Sequence, residues 1–543
     1  MLPGPSWARW DRRARHPPMG PGREGGGQLR TWRDHLPSGS QLQASDLVTS
    51  GTLPRAWADR WEADPEAPVL MDAASTAGPS SPAGLAHRSG TWWSAEEFDV
   101  ATRRAAGRLA TAGLRSGDRV LWSTGSSVSS IICHVAALRA GLVVVPANTA
   151  YTQREIAYIV SDVGPAAVIV DDPKRGRWAR DASDRDLIVT GPDLELPDGE
   201  PGRLDAALPD DPALICFTSG TTGAPKGAVL SHRNLLAATR AVCAAWRWTP
   251  ADRLIHCLPV FHAHGLCVGI YGTLLSGGSA LLLPGFDPDA VVDTASTHHA
   301  SLFFGVPTMY HRLVRSARAS EMGRLRLCVS GSAPLAADLH REVSAVIGMS
   351  VLERYGMTET LMNVSNPYDG ERRPGSVGFP LPGVEVKLAG DGEIGVRGPN
   401  VFDGYWERPA ATADAFEDSS DGGGRWFRTG DLGTIDDGYL TIRGRSKELI
   451  ISGGFNVYPS EVEDVVLTHP GVAEVAVTGT PSDEWGEVVT AWIVADGCAP
   501  SAEVLSAYTA DRLAAYKRPR IVHVIDTLPR NALGKVVRSE LGR

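Results

Sequence analysis

Lysine is rare in this chain. Only Lys174, Lys226, Lys387, Lys447, Lys517 and Lys535 stand among 53 cationic side chains, and the other 47 are arginine. A compact ammonium on a flexible stem does work that a planar guanidinium does not, so the positions that use it draw notice. Lys226 closes the string Thr218-Ser219-Gly220-Thr221-Thr222-Gly223-Ala224-Pro225-Lys226-Gly227, which holds three glycines and four hydroxyls in ten residues. Such a loop can turn backbone N–H groups and hydroxyls onto phosphate oxygens while the lysine adds charge. It is not a P-loop, which needs Gly-Lys-Ser/Thr in sequence. An ordinary glycine-rich surface loop has the same composition.

Three further strings carry groups suited to a nucleotide. Glu353-Arg354-Tyr355-Gly356-Met357-Thr358-Glu359-Thr360 offers a flat ring at Tyr355 for a purine and a glycine for close backbone approach. Its Glu359 is a hard oxygen ligand suited to Mg²⁺. Phe427-Arg428-Thr429-Gly430-Asp431 ends on a carboxylate able to accept both ribose hydroxyls from a strand end, and Arg445 follows in the next charged string. Near the carboxyl end, Asn531-Ala532-Leu533-Gly534-Lys535 presents the last lysine. Each string alone also reads as a solvated loop.

The elements that must position them follow from periodicity. The glycine loop lies between the apolar run Leu214–Phe217 and a stretch of helical spacing from Ala228 to Trp246, so a strand–loop–helix order is expected. Upstream, helices over 94–115, Ser129–Ala140 and Glu155–Val163 alternate with strands at 120–124, Leu142–Val145 and Ala166–Val170. That alternation predicts an α/β fold with parallel-rich sheets in layers. Residues 173–210 read as a surface connection. Residues 265–284 lack charge, but five glycines and Ser276 favour a buried helix and strand over a membrane span. Beyond the string Gly444–Ile451, residues 458–543 show a compact pattern of short strands and helices, a small α+β domain. The expected division is a tail over 1–45, a large domain over 46–446 and a small domain over 447–543, pivoting at Lys447.

Together the strings resemble the adenylate-forming superfamily of acyl-CoA synthetases, peptide-synthetase adenylation domains and luciferases. The resemblance spans about residues 50–543, with the motifs in order. It implies a large AMP-binding domain and a small mobile one. It implies that Thr218, Ser219, Gly220, Thr221, Thr222, Gly223 and Lys226 hold ATP phosphates. Gly331, Ser332, Ala333, Glu353, Tyr355, Gly356, Met357 and Thr358 would line the adenine, with Asp431 and Arg445 on the ribose or phosphate. Glu359 and Thr222 would hold Mg²⁺. Lys535 is the implied catalytic lysine, with Thr358 and Glu359 beside it, stabilising charge where a carboxylate attacks the α-phosphate. After rotation about Lys447, Gly453, Gly454 and Phe455 would wall a tunnel for the thiol of coenzyme A. A carrier-protein phosphopantetheine remains open as the acceptor.

The acid is read from the residues that should line the acyl pocket. Arg354 directly precedes the adenine tyrosine, Arg312 follows Tyr310-His311, and His262 and His264 flank Ala263. A buried arginine without an anion is costly, so a second carboxylate on the substrate is its natural partner. An ion pair between Arg354 and Glu353 is the competing reading. The strings running from Gly356 to Gly378 and from Phe261 to Leu266 resemble malonyl-CoA synthetases, which activate malonate and often methylmalonate. That resemblance implies that Arg312 and Arg354 hold the distal carboxylate, with His262 and Ser332 nearby and Ala263 and Met362 flanking C2. A short-chain or aromatic acid would leave both guanidiniums unpaired.

Bulk properties set the remaining bounds. With 543 residues, two or more domains are expected. A net charge of −10 argues against nucleic acid as the main partner. Seven cysteines without CxxC spacing read as buried apolar residues in a reducing cytoplasm. Residues 1–45 are rich in arginine, glycine and proline, read as a disordered or mis-started tail or a transit peptide, and hold no secretory core. A cytoplasmic monomer or homodimer is expected, with a dicarboxylic acid, ATP and coenzyme A as its small-molecule partners.

Overall fold

The computed structural model describes residues 28–49, 51–73, 90–218, 225–419, 422–482, 484–531 and 535–542. Its central strands come from short, continuous apolar runs. Val143–Pro146 reads VVVP and Ala167–Val170 reads AVIV, and every residue of both is buried. Strands covered on both faces need no polar alternation. They join Arg119–Ser123, Pro212–Thr218 and Ile188–Thr190 in parallel, with Lys226–Ser231 and Gly404–Tyr405 added antiparallel at one edge.

A second large sheet places six parallel strands side by side. Their order is Leu352–Tyr355, Leu327–Ser330, Leu302–Gly305, Arg253–His256, Ser279–Leu282 and Pro68–Asp72. Loops leaving the carboxyl ends of these strands carry Gly331–Ala333, Gly356–Thr360 and His262–His264. Ligands in open α/β sheets bind outside such strand ends. A third, antiparallel sheet contains Arg425–Asp436 and Tyr439–Arg445. The small domain is built on the hairpin Val472–Ser482 and Gly486–Ala495, flanked by Ile450–Ser452, Phe455–Val457 and Ile521–Val524.

Four local expectations are corrected. The segment after the glycine loop does not enter a helix. Lys226–Ser231 is a strand paired antiparallel with Pro212–Thr218, and the helix begins at His232, where Ser231 caps Asn234 N–H at 3.4 Å. Residues 173–210 are not only connection: helix Pro173–Asp181 and strand Ile188–Thr190 lie within them. That helix buries Arg175, whose Nη1 donates to the Ser123 carbonyl at 2.7 Å. Residues 28–45, placed in the tail, lie along the large domain. His35 is buried there with Nε2 3.2 Å from the Phe379 carbonyl, and Arg30 stacks over Tyr439 at 4.8 Å. Asp431 sits inside a strand rather than at its end, just before the register shifts at Leu432.

The uncharged stretch at 265–284 is the buried π-helical turn His264–Ile270, helix Tyr271–Ser276 and strand Ser279–Leu282. Among the described residues no helix is long and apolar enough to cross a membrane.

Candidate active site

The strand Leu352–Tyr355 alternates its side chains, and that alternation separates two charges adjacent in sequence. Glu353 and Arg354 are both buried, at 4% and 6% exposure. Glu353 Oε1 accepts the Leu335 N–H at 3.0 Å, and its Oε2 has no partner. Burial pushes this carboxyl up to about 8. Arg354 makes no ion pair with Glu353 or with any other acid among the described residues, and its Nε and Nη2 are buried without a hydrogen-bond partner. Burial lowers the guanidinium to about 10, with Glu353 pulling the other way. It stays a cation at neutral pH.

Space for that cation is made by a missing side chain. A Cβ at Gly331 would stand 2.3 Å from Arg354 Cζ. The next residue, Ser332, adopts a left-handed φ of 71° and brings its Oγ to 3.2 Å from His264 Nδ1. Non-glycine residues in that region cost energy and gather at functional sites. Nε2 of His262 and Nε2 of His264 are also buried without partners. Burial holds both imidazoles neutral, and the Arg354 charge adds to this at His264. Gly331, Ser332, His264 and Arg354 therefore form one contiguous wall with four unpartnered nitrogen atoms in it or beside it. Met362 is buried and Ala263 half-buried.

Arg312 comes from another element. It is exposed on helix Pro307–Leu313, 5.1 Å from the Phe286 ring, and lines a cavity of about 340 Å³ with Val260, Phe261 and Met309. Among the described residues the walls of that cavity include neither Arg354 nor Gly331 nor Ser332.

The residues that the sequence assigns to the nucleotide converge from three chain segments. Tyr355 OH donates to Asp431 Oδ2 at 2.5 Å, and Asp431 Oδ1 lies 3.0 Å from Arg445 Nε. Gly356 is a forced choice, since a Cβ there would meet the Leu361 carbonyl at 2.0 Å. Leu361 itself is left-handed at φ 56°. Met357 and Thr358 are half-buried in the same loop, as is Ala333 in the loop opposite. Glu359 is buried and raised by that burial, and Oε1 accepts Tyr405 OH at 3.0 Å. Lys226 Nζ sits 5.0 Å from the same Tyr405 ring. Tyr405 thus joins two motifs that sequence reasoning kept apart. Its only signal was a tyrosine after glycine in an otherwise unassigned turn. Thr218 Oγ1 donates to the Lys226 carbonyl at 3.4 Å across the loop base. Ser219, Gly220, Thr221, Thr222 and Gly223 lie outside the described residues.

The small domain brings its lysine to this site. Lys535 is half-buried, and burial together with the Arg445 charge lowers its ammonium, while Asp431 and Glu448 favour it. Lys447 lies in the short helix Ser446–Glu448 that joins the domains. The glycines assigned to a thiol tunnel are exposed here. Gly453 and Gly454 have φ of 59° and 81° in the two-residue turn between paired Ser452 and Phe455. That turn type needs positive φ at both positions, a sufficient reason for two glycines. Phe455 is 56% exposed and stacks on Tyr516 at 4.6 Å.

Residues 58–406 match the AMP-binding enzyme family, and residues 461–535 match the AMP-binding enzyme C-terminal domain.

The chain belongs to the AMP-binding enzyme family.

A feruloyl-CoA synthase of Amycolatopsis sp is 37% identical over 84% of this chain and 94% of its own length. A malonate–CoA ligase of Arabidopsis thaliana is 39% identical over 61% of this chain and 60% of its own length. Among solved structures, ATP-bound MatB from Rhodopseudomonas palustris superposes with a TM-score of 0.81 at 42% identity, covering 90% of this chain and 98% of that one. This AMP-binding enzyme is an adenylate-forming acid–thiol ligase of the acyl-CoA synthetase kind, and ATP and coenzyme A fit it as substrates.

Proposed function

We propose that the enzyme joins a short diacid, malonate and also methylmalonate, to coenzyme A through an acyl-adenylate. One observation carries this reading: a buried, uncompensated guanidinium at Arg354, backed by Gly331 and neutral histidines. A guanidinium buried without a counter-ion is costly unless the ligand supplies one. A second carboxylate, taken bidentately, does so. Ferulate, a monocarboxylate with an aromatic ring, does not. Arg312, exposed over Phe286, is left out of this clamp.

In the first half-reaction the proximal carboxylate oxygen attacks the α-phosphorus of ATP. The bond to the β-phosphate breaks and pyrophosphate leaves. Positioning and neutralisation of charge supply most of the catalysis. Tyr355 and Asp431 would hold the nucleoside, Lys226 and the glycine loop the phosphates, and Lys535 the charge developing at the α-phosphate. A hard carboxylate at Glu359 suits Mg²⁺, which takes one or two carboxylates plus phosphates. Glu359 and Thr222 would hold the ion, and it would neutralise phosphate charge. In the second half-reaction a thiolate attacks the acyl carbonyl and AMP leaves. Rotation about Lys447 would bring Gly453, Gly454 and Phe455 round for that step.

ATP–pyrophosphate exchange across malonate, methylmalonate, sulfoacetate, acetate, octanoate, coumarate and ferulate tests the reading. Exchange is expected with the acids that carry a second anionic group. Stronger exchange with ferulate or octanoate than with malonate would sink it.

A further inference from the structure

Two ion pairs stand on either side of Lys447. On the amino side, Arg445 Nε lies 3.0 Å from Asp431 Oδ1, which ties the chain before the pivot to the nucleotide site. On the carboxyl side, Arg538 Nη1 donates to Glu448 Oε2 at 3.0 Å. The rest of the Arg538 fork is spent inside the small domain. Nη2 reaches Glu463 Oε1 and Oε2 at 2.7 and 2.9 Å, on helix Pro459–Val466. Nε donates to the Val477 carbonyl at 3.3 Å, on strand Val472–Ser482. One side chain thus fastens three elements.

Arg538 lies three residues beyond Lys535. Among the described residues of the hairpin that presents Lys535, one bridge pairs Arg530 with Val536, Asn531 N–H donates to the Lys535 carbonyl at 2.9 Å, Lys535 N–H donates to Asn531 Oδ1 at 3.0 Å, Val537 N–H donates to the Pro529 carbonyl at 2.8 Å, and Arg530 Nη2 reaches Glu474 Oε2 at 2.6 Å. A long, flexible ammonium holds one position only if its hairpin is fixed to the body of the domain: Arg530 ties the first arm to strand Val472–Ser482, and Arg538 follows the second arm. We propose that Arg538 is the positioning residue for Lys535, bolting the lysine hairpin to the segment that immediately follows the pivot. Bending is then confined to Ser446 and Lys447, and rotation carries the lysine as part of a rigid body. Glu448 and Arg538 lie on the same side of the pivot, so their contact travels with the domain.

Charge cannot account for such a role. The Arg538 cation disfavours the Lys535 ammonium, so its removal would by charge alone help the lysine hold its proton. Any loss of rate must come from misplacement. The inference rests on the proposed parts of Lys535 and Lys447, and the test separates the two.

Full-length wild type, Lys535→Ala, Arg538→Ala and Arg538→Lys are assayed in both half-reactions. These are ATP–pyrophosphate exchange, with whichever acid the wild type activates best, and coenzyme A-dependent consumption of the pre-formed acyl-adenylate. Lys535→Ala is expected to abolish exchange and spare consumption; if exchange survives, the reading of Lys535 fails first. Arg538→Ala is expected to lower kcat for exchange about 100-fold, the scale of an ångström's misplacement of a catalytic group. KM values for ATP and acid should move less than about threefold and the second half-reaction should be spared, as befits a defect of position. Arg538→Lys should recover part of the loss, and Arg538→Ala added to Lys535→Ala should cost nothing more. Wild-type exchange in Arg538→Ala, or equal loss in both half-reactions, would overturn the assignment.

Discussion

On the proposed diacid specificity, replacing Arg354 by alanine should leave only a poor monoacid ligase. The structure leaves Nε and Nη2 of this guanidinium buried and without partners. A bidentate carboxylate would fill both positions. Removing one member of a buried, hydrogen-bonded charge pair costs about 2–5 kcal/mol. Taking about 3 kcal/mol, and 1.4 kcal/mol per tenfold, kcat/KM for malonate should fall by about 150-fold. Butyrate offers the guanidinium no anion, so its kcat/KM should change less than about threefold or rise as an unpaired cation leaves the pocket. Arg354→Lys should recover only a small part, because an ammonium keeps the charge but not the planar fork. The assay is pyrophosphate release with both acids at matched, subsaturating concentration. A parallel fall for malonate and butyrate would refute the reasoning, since it would mark Arg354 as scaffold for the Tyr355 loop. An unchanged malonate rate would refute it equally.

Other consequences follow from single contacts. Gly331→Ala places a methyl against Arg354 Cζ and should selectively lower kcat/KM for malonate by about tenfold; a thermal melt within a few degrees of wild type would show that the pocket, not the fold, is affected. Tyr405→Phe keeps the ring beside Lys226 but removes the donor to Glu359, so the Mg-ATP concentration for half-maximal rate should rise about fivefold, near 1 kcal/mol. Glu353 holds its proton more tightly folded than unfolded, because burial raises it from 4.5 to about 8. Its contribution to stability is therefore full below about pH 4.5 and lost as pH rises through about 8. The melting temperature of wild type relative to Glu353→Gln should decline from about pH 5 to about pH 9; a constant difference would show that Glu353 is ionised in the folded protein.

Much of this protein was legible one residue type at a time. The scarcity of lysine singled out Lys226, Lys447 and Lys535, and the α/β alternation followed from apolar runs that need no neighbours to be read. Local pattern misled where pairing decides. Ala228–Ser231 has helical spacing, but the partner strand Pro212–Thr218 claims it. Arginine and glycine in residues 28–45 read as tail, but Arg30 and His35 find aromatic and carbonyl partners more than 340 positions away.

The amino-acid order by itself pointed to the family and its ligase chemistry: a glycine-rich loop, the string Glu353–Thr360, the string Phe427–Asp431 and the late Lys535, in one fixed order. Only the tertiary structure decided which cation is buried without a partner. Arg354 and Glu353 are neighbours in sequence that might have neutralised each other. The pleat of one strand sends them to opposite faces and leaves a buried charge without a partner. Arg312, equally cationic and equally close to a pocket motif, keeps an exposed side chain beside the Phe286 ring. Charge is a property of a residue, but an unpaired charge is a property of packing, and the proposed diacid specificity rests on that unpaired charge.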